Sequence, residues 1–126
     1  SICQVIILSD TFTEFASSLM RKLNMPTIFC NSLTVDSNGI ITGYKLRQPN
    51  GKYHAVKALQ SIGFKTIAAG DSYNDLEMIK NSHAGFLFRP PKHIQDEYAQ
   101  FKTFTEYPEF LSAIKTVINA ENYPPT

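Results

Sequence analysis

Two short polar segments of this chain, each directly after an apolar run, contain residue types that bind phosphate and metal ions. The first is Ser9-Asp10-Thr11, which follows Val5-Ile6-Ile7-Leu8. A hydroxyl at a strand end and the N–H groups of a helix start can both donate hydrogen bonds to a phosphate oxygen. Ser, Asp and Thr are also ordinary helix N-caps, so this segment taken alone favours a cap over a phosphate site.

The second polar segment, Gly70-Asp71-Ser72-Tyr73-Asn74-Asp75, follows the apolar run Lys65–Ala69. Gly70 permits a sharp exit from a strand, and Asp71 and Asp75 bracket the first turn of a predicted helix. Mg²⁺ commonly takes one or two carboxylates and keeps its other positions for water and substrate phosphate. A capped helix with a solvated second acid explains the segment equally well. The two segments together favour one shared anion site.

Strand-like and helix-like segments alternate along the chain, which predicts an α/β fold with a mainly parallel sheet. Ligands of such sheets bind beyond the carboxyl ends of the strands, where both polar segments lie. The turn residues Asp36-Ser37-Asn38-Gly39 predict a β-hairpin over Ile28–Leu46. The predicted strands, each apolar enough to be buried on both faces, are Cys3–Leu8, Lys65–Ala69 and Ala84–Phe88. The predicted helices are Phe12–Leu23, Lys52–Ile62, a segment from the acidic turn to about Asn81, Ile94–Tyr98 and Pro108–Asn119.

Length and charge exclude several classes of function. A chain of 126 residues can bury roughly two thirds of its unfolded surface, which predicts one domain over residues 1–120 with a tail over 121–126. A net charge of +1 without a basic cluster argues against nucleic acid and anionic membranes as partners. No apolar run approaches the ~20 residues of a membrane span. We therefore predict a cytoplasmic protein in which Cys3 and Cys30 are buried thiols.

Four segments with a distinctive order and spacing carry a family resemblance: VIILSDTFTEF (Val5–Phe15), GYKLRQ (Gly43–Gln48), IAAGDSYND (Ile67–Asp75) and HAGFLFRPP (His83–Pro91). They resemble the haloacid dehalogenase-like phosphohydrolases, in particular the C-terminal part of the bifunctional phosphoserine phosphatase/homoserine phosphotransferase branch. The resemblance implies a Rossmann-like three-layer core with an inserted β-hairpin. It also implies Mg²⁺-dependent hydrolysis or transfer of phosphate through an aspartyl-phosphate, with a small phosphorylated substrate such as phosphoserine.

The resemblance also implies roles for residues in both polar segments. Ser9 would bind the transferring phosphoryl group through its hydroxyl, and Asp71 would be the Mg²⁺ ligand. Asn74 and Asp75 would support the phosphate, the water around the metal and a neighbouring lysine. The predicted catalytic residues are therefore Ser9, Lys52 and Asp75. The predicted phosphate-binding residues are Ser9, Asp10, Thr11, Lys52 and Asn74.

Lys52 is the predicted phosphate-neutralising lysine among three candidates between the polar segments. It opens the helix that precedes the metal-binding strand, which is where the family places its lysine. A positive charge there would offset negative charge on the phosphoryl oxygens. Lys57 is the second choice. Without the family, a solvated lysine near a turn is the preferred interpretation. Arg47 and Arg89 are predicted to have surface or salt-bridge roles.

The resemblance implies that parts of the enzyme are absent from this chain. The family's nucleophile is the first Asp of an Asp-x-Asp motif after its first strand, and no such motif occurs here. Asp10-Thr11-Phe12-Thr13 is the nearest match, but Phe12 stands where the general acid is needed, so Asp10 is not assigned as nucleophile. The family's first strand, which lies between the strands Cys3–Leu8 and Lys65–Ala69, and its helical cap are also absent.

Three explanations of these absences remain open. We prefer a C-terminal part of a longer enzyme, whose N-terminal piece carries the nucleophile; the start at Ser1 without Met agrees with this. The second is a separately encoded half that assembles with a partner chain. The third is a noncatalytic phosphate- or protein-binding module that closes its sheet as a homo-oligomer. In each case this chain alone is predicted to be inactive.

Overall fold

A computed structural model describes residues 3–120 of the chain. These residues form two compact units, Cys3–Gly51 and the described residues from Lys52 onward. The predicted α/β class with mainly parallel strands and an inserted hairpin is confirmed, and the strands are divided between two three-stranded sheets. The single domain over 1–120 stays a prediction, and the tail over 121–126 lies outside the described residues.

The first unit contains a three-stranded sheet and one helix. Strands β1 and β2 are parallel, and β2 and β3 form the predicted antiparallel hairpin. The Asp36 side chain closes the hairpin turn, because its Oδ1 accepts the N–H groups of Asn38 and Ile40 at 2.9 Å. Gly39 in this turn has a φ of 79°, which favours glycine. The elements are β1 (Ile6–Phe12), α1 (Thr13–Lys22), β2 (Thr27–Val35) and β3 (Ile41–Lys45).

Strand β1 differs from the prediction in its bounds and in its burial. It begins at Ile6 and continues through the polar segment to Phe12, so α1 starts at Thr13. Phe12 occupies the N-cap position and makes no side-chain cap hydrogen bond. The interpretation of Ser9-Asp10-Thr11 as a helix cap is therefore wrong. Burial on both faces is also wrong for β1, because it is the outer strand of its sheet and none of its residues is buried.

Helix α1 buries only part of its predicted apolar face. Ala16 and Met20 are buried, whereas Phe15 and Leu19 are 63% and 54% exposed. The described residues therefore cover only part of the apolar face that was predicted for this helix. Cys30, predicted to be a buried thiol, is half-buried, as is Cys3.

The second unit contains a three-stranded, fully parallel sheet in the order β4-β5-β6. Strand β5 is central and holds Leu87, which is fully buried, and Ile79 of α3 packs beside it with 1% exposure. A 3₁₀ turn over Tyr73–Asp75 precedes α3. The elements are α2 (Gly51–Ser61, starting at the last residue of the first unit), β4 (Ile67–Gly70), α3 (Leu76–Asn81), β5 (Ala84–Phe88), α4 (Lys92–Glu97), β6 (Lys102–Phe104) and α5 (Tyr107–Ala120).

Strand β6 was not predicted, because three residues are too few to show a strand-like alternation. Its Phe104 is buried and lies 5.6 Å, between ring centroids, from Phe86 of β5. Phe110 of α5 lies 5.9 Å from Phe104 in the same way. These aromatic residues therefore form the packing between β5, β6 and α5. Within residues 3–120, no helix is long and apolar enough to cross a membrane.

Candidate active site

The carboxyl end of β4 leads into an acidic junction, which we define as Gly70–Asp75. The strand ends at Gly70, and the 3₁₀ turn Tyr73–Asp75 then passes directly into α3. The two carboxylates of this junction have opposite environments: Asp75 is buried at 6% exposure, whereas Asp71 is exposed. Asn74, in the same turn, is also exposed. In this junction Asp71 is therefore accessible to solvent, whereas Asp75 is available only to groups of the protein that pack against it.

The buried Asp75 carboxylate holds both a lysine and the backbone of the junction. Its Oδ1 accepts a hydrogen bond from Lys52 Nζ at 2.6 Å, in an ion pair whose side chains are only 12% and 8% exposed. Its Oδ2 accepts the N–H groups of Asp71 at 3.0 Å and Ser72 at 3.1 Å. Because both oxygens already accept hydrogen bonds, Asp75 orients Lys52 and closes the loop.

The exposed Asp71 is the carboxylate of this junction that suits a metal ion. Its Oδ1 accepts the Ser72 hydroxyl at 2.7 Å, and its backbone is anchored on Asp75. Within residues 3–120, no group of three or more His, Cys, Asp or Glu side chains could hold a metal. One carboxylate on a fixed turn nevertheless fits Mg²⁺, which keeps several waters and substrate oxygens as ligands.

Of the two candidate lysines in α2, Lys52 is the one that contacts the acidic junction. It lies in the first turn of α2, and its ion pair with Asp75 spans 23 residues of sequence. Lys57 lies further along α2 and is exposed. The arrangement therefore brings together Lys52, Asp71 and Asp75, with Asn74 in the same turn.

Gly70 gives the Asp75 carboxylate the space that it occupies, because an added β-carbon at Gly70 would overlap that carboxylate. Gly70→Ala is therefore expected to displace Asp75 and to weaken its hydrogen bonds, with a loss of about 1–3 kcal/mol in the free energy of unfolding. Urea unfolding followed by circular dichroism measures this loss. Gly43→Ala is the control, since a β-carbon at Gly43 meets nothing within 4 Å. Equal losses in the two variants would contradict the close approach at Gly70.

Tyr73 connects the acidic junction to α4. Its hydroxyl donates to Glu97 Oε2 at 2.7 Å, and this hydrogen bond to a carboxylate, followed by desolvation, raises the pKa of Tyr73 above its usual value. The Tyr73 ring also lies 5.8 Å from the His93 ring, between centroids. The turn that contains Asn74 and Asp75 is thus anchored on its outer side as well.

The other predicted phosphate-binding residues form a hydroxyl junction, Ser9–Thr11, in the first unit. Ser9 Oγ accepts the Thr11 N–H at 3.1 Å, and Asp10 is exposed. A hydroxyl oxygen that accepts one hydrogen bond still carries a proton that it can donate. The Ser9 hydroxyl can therefore donate a hydrogen bond to an anion while its oxygen accepts one from the Thr11 N–H.

Sequence reasoning missed one polar residue at the hydroxyl junction, the buried Asn31. Its side-chain Nδ2 donates to the carbonyl oxygen of Asp10 at 3.2 Å. The sequence feature that could have indicated Asn31 is its position, a polar residue directly after the apolar run Ile28-Phe29-Cys30 in a strand of the hairpin. Arg89, predicted to have a surface or salt-bridge role, is exposed, and its Nε donates to the carbonyl oxygen of Thr105 at 2.7 Å.

A polar loop at the carboxyl end of a parallel strand, with an exposed acid and a buried acid–lysine pair, is an arrangement suited to metal-assisted phosphate chemistry. A family model for haloacid dehalogenase-like hydrolases matches residues 1–83. The chain therefore belongs to the haloacid dehalogenase-like hydrolase family, as the resemblance predicted.

Two curated relatives are similar to this chain over most of its length. The chain is 46% identical over 114 residues to Phosphoserine phosphatase ThrH of Pseudomonas aeruginosa, a match that covers 87% of this chain and 56% of that protein. It is 45% identical over 114 residues to Phosphoserine phosphatase of Pseudomonas syringae pv. tomato, covering 87% and 48%. The chain thus spans about half the length of these relatives.

Solved structures support the fold. A substrate-bound phosphoserine phosphatase complex superimposes with a TM-score of 0.69 at 20% identity, covering 87% of this chain and 55% of that one. A probable phosphoserine phosphatase from Vibrio cholerae gives a TM-score of 0.70 at 21% identity, covering 94% and 39%. At these identities the matches show a shared α/β fold.

Proposed function

We propose that this chain supplies the phosphate- and metal-binding part of a Mg²⁺-dependent phosphomonoesterase that acts through an aspartyl-phosphate, with phosphoserine as substrate. The observation that carries the proposal is the buried Lys52–Asp75 pair beside the exposed Asp71. Two relatives named phosphoserine phosphatase, at 46% and 45% identity, support the substrate. A cytoplasmic location is part of the proposal.

Three residues of the two junctions and Lys52 of α2 each have a chemical role in this proposal. Asp71 would hold Mg²⁺, which when bound neutralises charge on the phosphoryl oxygens. The Lys52 ammonium, oriented by Asp75, stabilises negative charge that develops on the same group. The Ser9 hydroxyl donates a hydrogen bond to a phosphoryl oxygen. In this proposal Lys52 and Ser9 bind the phosphoryl group, Asp71 holds the metal and Asp75 orients Lys52; none of the four is the nucleophile.

The nucleophile in this proposal is an aspartate from outside these 126 residues, which contain no Asp-x-Asp motif. Its carboxylate attacks phosphorus, the serine alkoxide leaves and takes up a proton, and water then hydrolyses the acyl phosphate. An N-terminal piece or a partner chain would provide this aspartate on a strand. Among the described strands, β1 and β4 each stand at one end of their sheet and have an edge where such a strand could pair.

A noncatalytic binding module that self-associates is the second candidate. The exposed apolar side chains of α1, with Phe15 63% and Leu19 54% exposed, favour association with another surface. A module of this kind would bind phosphate without releasing it from a phosphomonoester. Turnover therefore distinguishes the two candidates.

Turnover is tested by fusing to the start of this chain the part of the Pseudomonas aeruginosa relative that lies outside the match, which covers 56% of that protein. We expect the fusion to release phosphate from phosphoserine in the presence of Mg²⁺, and we expect this chain alone to release none. Asp71→Asn in the fusion should lower turnover by about a hundredfold, because electrostatic stabilisation of the phosphoryl group is lost.

The matched control is Asp96→Asn, which removes an exposed carboxylate on α4 that pairs with Lys92 at 3.4 Å. We expect its turnover to equal that of the unmodified fusion. A folded fusion without phosphate release would favour the noncatalytic module. Equal turnover in Asp71→Asn and Asp96→Asn would contradict the role of Asp71.

A further inference from the structure

The hydroxyl junction is a bulge in the pairing of β1 with β2. Leu8 pairs with Phe29, but the next pair is Phe12 with Asn31, so residues 9–11 of β1 stand opposite Cys30 alone. Such a bulge interrupts the regular ladder, and its backbone N–H and C=O groups need other partners. The conformation of Ser9–Thr11 therefore depends on the side chains that supply these partners.

Two side chains supply partners to the bulge. Ser9 Oγ accepts the Thr11 N–H at 3.1 Å, and Asn31 Nδ2 donates to the carbonyl oxygen of Asp10 at 3.2 Å. The Asn31 contact comes from the neighbouring strand and is made by a residue only 8% exposed. It therefore fixes the middle of the bulge against the sheet.

The same Asn31 residue binds two further segments of the first unit. Its Oδ1 accepts the Arg47 N–H, just beyond β3, at 2.9 Å. Its backbone carbonyl accepts the hydroxyl of Thr13, the first residue of α1, at 3.2 Å. One buried residue thus connects the bulge, the start of the following helix and the end of the hairpin. Loss of its amide would remove its hydrogen bonds to Asp10 and Arg47 and so lower the free energy of unfolding.

The location of this network argues for more than a role in folding. A regular ladder between β1 and β2 would satisfy the backbone without a buried side-chain amide. Bulges occur preferentially where a side chain has to be aimed at a site. Ser9, whose hydroxyl is the phosphate donor of the proposed function, is one of the three residues that the bulge displaces from regular pairing.

We propose that Asn31 is a positioning residue for phosphate binding, which holds the Ser9–Thr11 bulge in the conformation that presents the Ser9 hydroxyl to an anion. This inference rests on the proposed function, because the anion is the phosphoryl group assigned to Ser9. Asn31 itself does not touch the phosphate. Its amide acts through the carbonyl oxygen of Asp10 and so through the bulge as a whole.

The test uses the full 126-residue chain, labelled with ¹⁵N and titrated with orthophosphate. Asn31→Leu removes the amide without adding charge. We expect its amide signals at Asp10 and Thr11 to shift, and we expect the Kd for orthophosphate to rise at least about fivefold, as loss of a buried hydrogen bond implies. Met20→Ala is the matched control, because Met20 is a buried residue of the same unit at 5% exposure.

The control separates positioning from stability. If Met20→Ala lowers the unfolding free energy but keeps the unmodified Kd, the positioning role of Asn31 is supported. A Kd that stays unchanged in Asn31→Leu overturns the inference and leaves the Ser9 assignment intact. An equal rise in Kd for Met20→Ala overturns it as well. Absence of orthophosphate binding by the unmodified chain counts against the proposed phosphate site itself, and the inference fails with it.

A measurement on the unmodified chain decides the matter if Asn31→Leu does not fold. Hydrogen exchange of the Asn31 side-chain amide protons is expected to slow when orthophosphate binds, because the anion stabilises the bulge that this amide holds. The exchange rate of the Asn81 side-chain amide, which donates to the carbonyl oxygen of Glu77 at 2.7 Å in the second unit, is the internal reference. Orthophosphate binding without slower exchange at Asn31 overturns the inference.

Discussion

Replacing Asp75 by Asn is expected to lower the free energy of unfolding by about 3–5 kcal/mol, since it removes a carboxylate that pairs with a buried ammonium. The Lys52 side chain is 12% exposed and lies 2.6 Å from Asp75 Oδ1, so little water is available to replace the carboxylate. The new amide group also presents its N–H₂ either to Lys52 or to the N–H groups of the acidic junction. Urea unfolding at neutral pH, followed by far-ultraviolet circular dichroism, measures the loss.

The control for this prediction is Glu77→Gln, which removes an acid only two residues further along the chain. Glu77 pairs with Lys80 at 4.0 Å, and these side chains are 59% and 42% exposed. Such a surface pair contributes less than about 1 kcal/mol, so the variant should unfold almost as the unmodified chain does. The double variant Asp75→Asn with Lys52→Met should recover part of the loss, because it removes the buried charge. Equal losses in Asp75→Asn and Glu77→Gln would contradict the buried pair.

Replacing Gly85 by Ala is expected to lower the free energy of unfolding by about 3 kcal/mol, because the added methyl group has no space in the packing between β5 and α3. A β-carbon at Gly85 would lie 2.5 Å from both Cγ2 and the backbone oxygen of Ile79. Ile79 is 1% exposed, so its helix cannot give way without opening the core of the unit. Because α3 begins directly after Asp75, the shift should also disturb the acidic junction.

Thermal and urea unfolding of Gly85→Ala measure this effect. Substitution of Ala at Gly43, where a β-carbon meets nothing within 4 Å, is the comparison. If Gly85→Ala unfolds like Gly43→Ala, the close contact between β5 and the backbone of α3 is contradicted.

Local sequence patterns predicted the elements that are strongly marked. The turn residues Asp36–Gly39 predicted the position of the hairpin. The predicted strand Ala84–Phe88 has the same first and last residues as β5. The prediction for β1 was wrong where polar residues follow the apolar run, because Ser9-Asp10-Thr11 has the composition of a helix cap. In the structure a bulge keeps these residues in the strand. Ser9 Oγ accepts the Thr11 N–H within the bulge, and Asn31 of the neighbouring strand β2 donates to the carbonyl oxygen of Asp10.

The acidic junction was recognisable from the order of its residues. The sequence did not show which of its two acids is buried and which is exposed. Burial of Asp75 depends on Lys52 approaching from 23 residues earlier, and no local pattern reports that contact. The family resemblance pointed to Lys52 in preference to Lys57. Asn31, in contrast, was not identified from the sequence, because its role depends on a bulge that spacing and composition do not reveal.

The proposal that Asp71 is the metal ligand is tested most directly with Mn²⁺ in place of Mg²⁺, because Mn²⁺ broadens the amide signals of the ¹⁵N-labelled chain that lie near it. We predict that low concentrations of Mn²⁺ broaden signals from Asp71 to Asp75 first. We also predict that Asp71→Asn abolishes this broadening and that Asp96→Asn, on the exposed surface of α4, preserves it. Broadening of the acidic junction that persists in Asp71→Asn, or that centres elsewhere in the unmodified chain, would contradict the account.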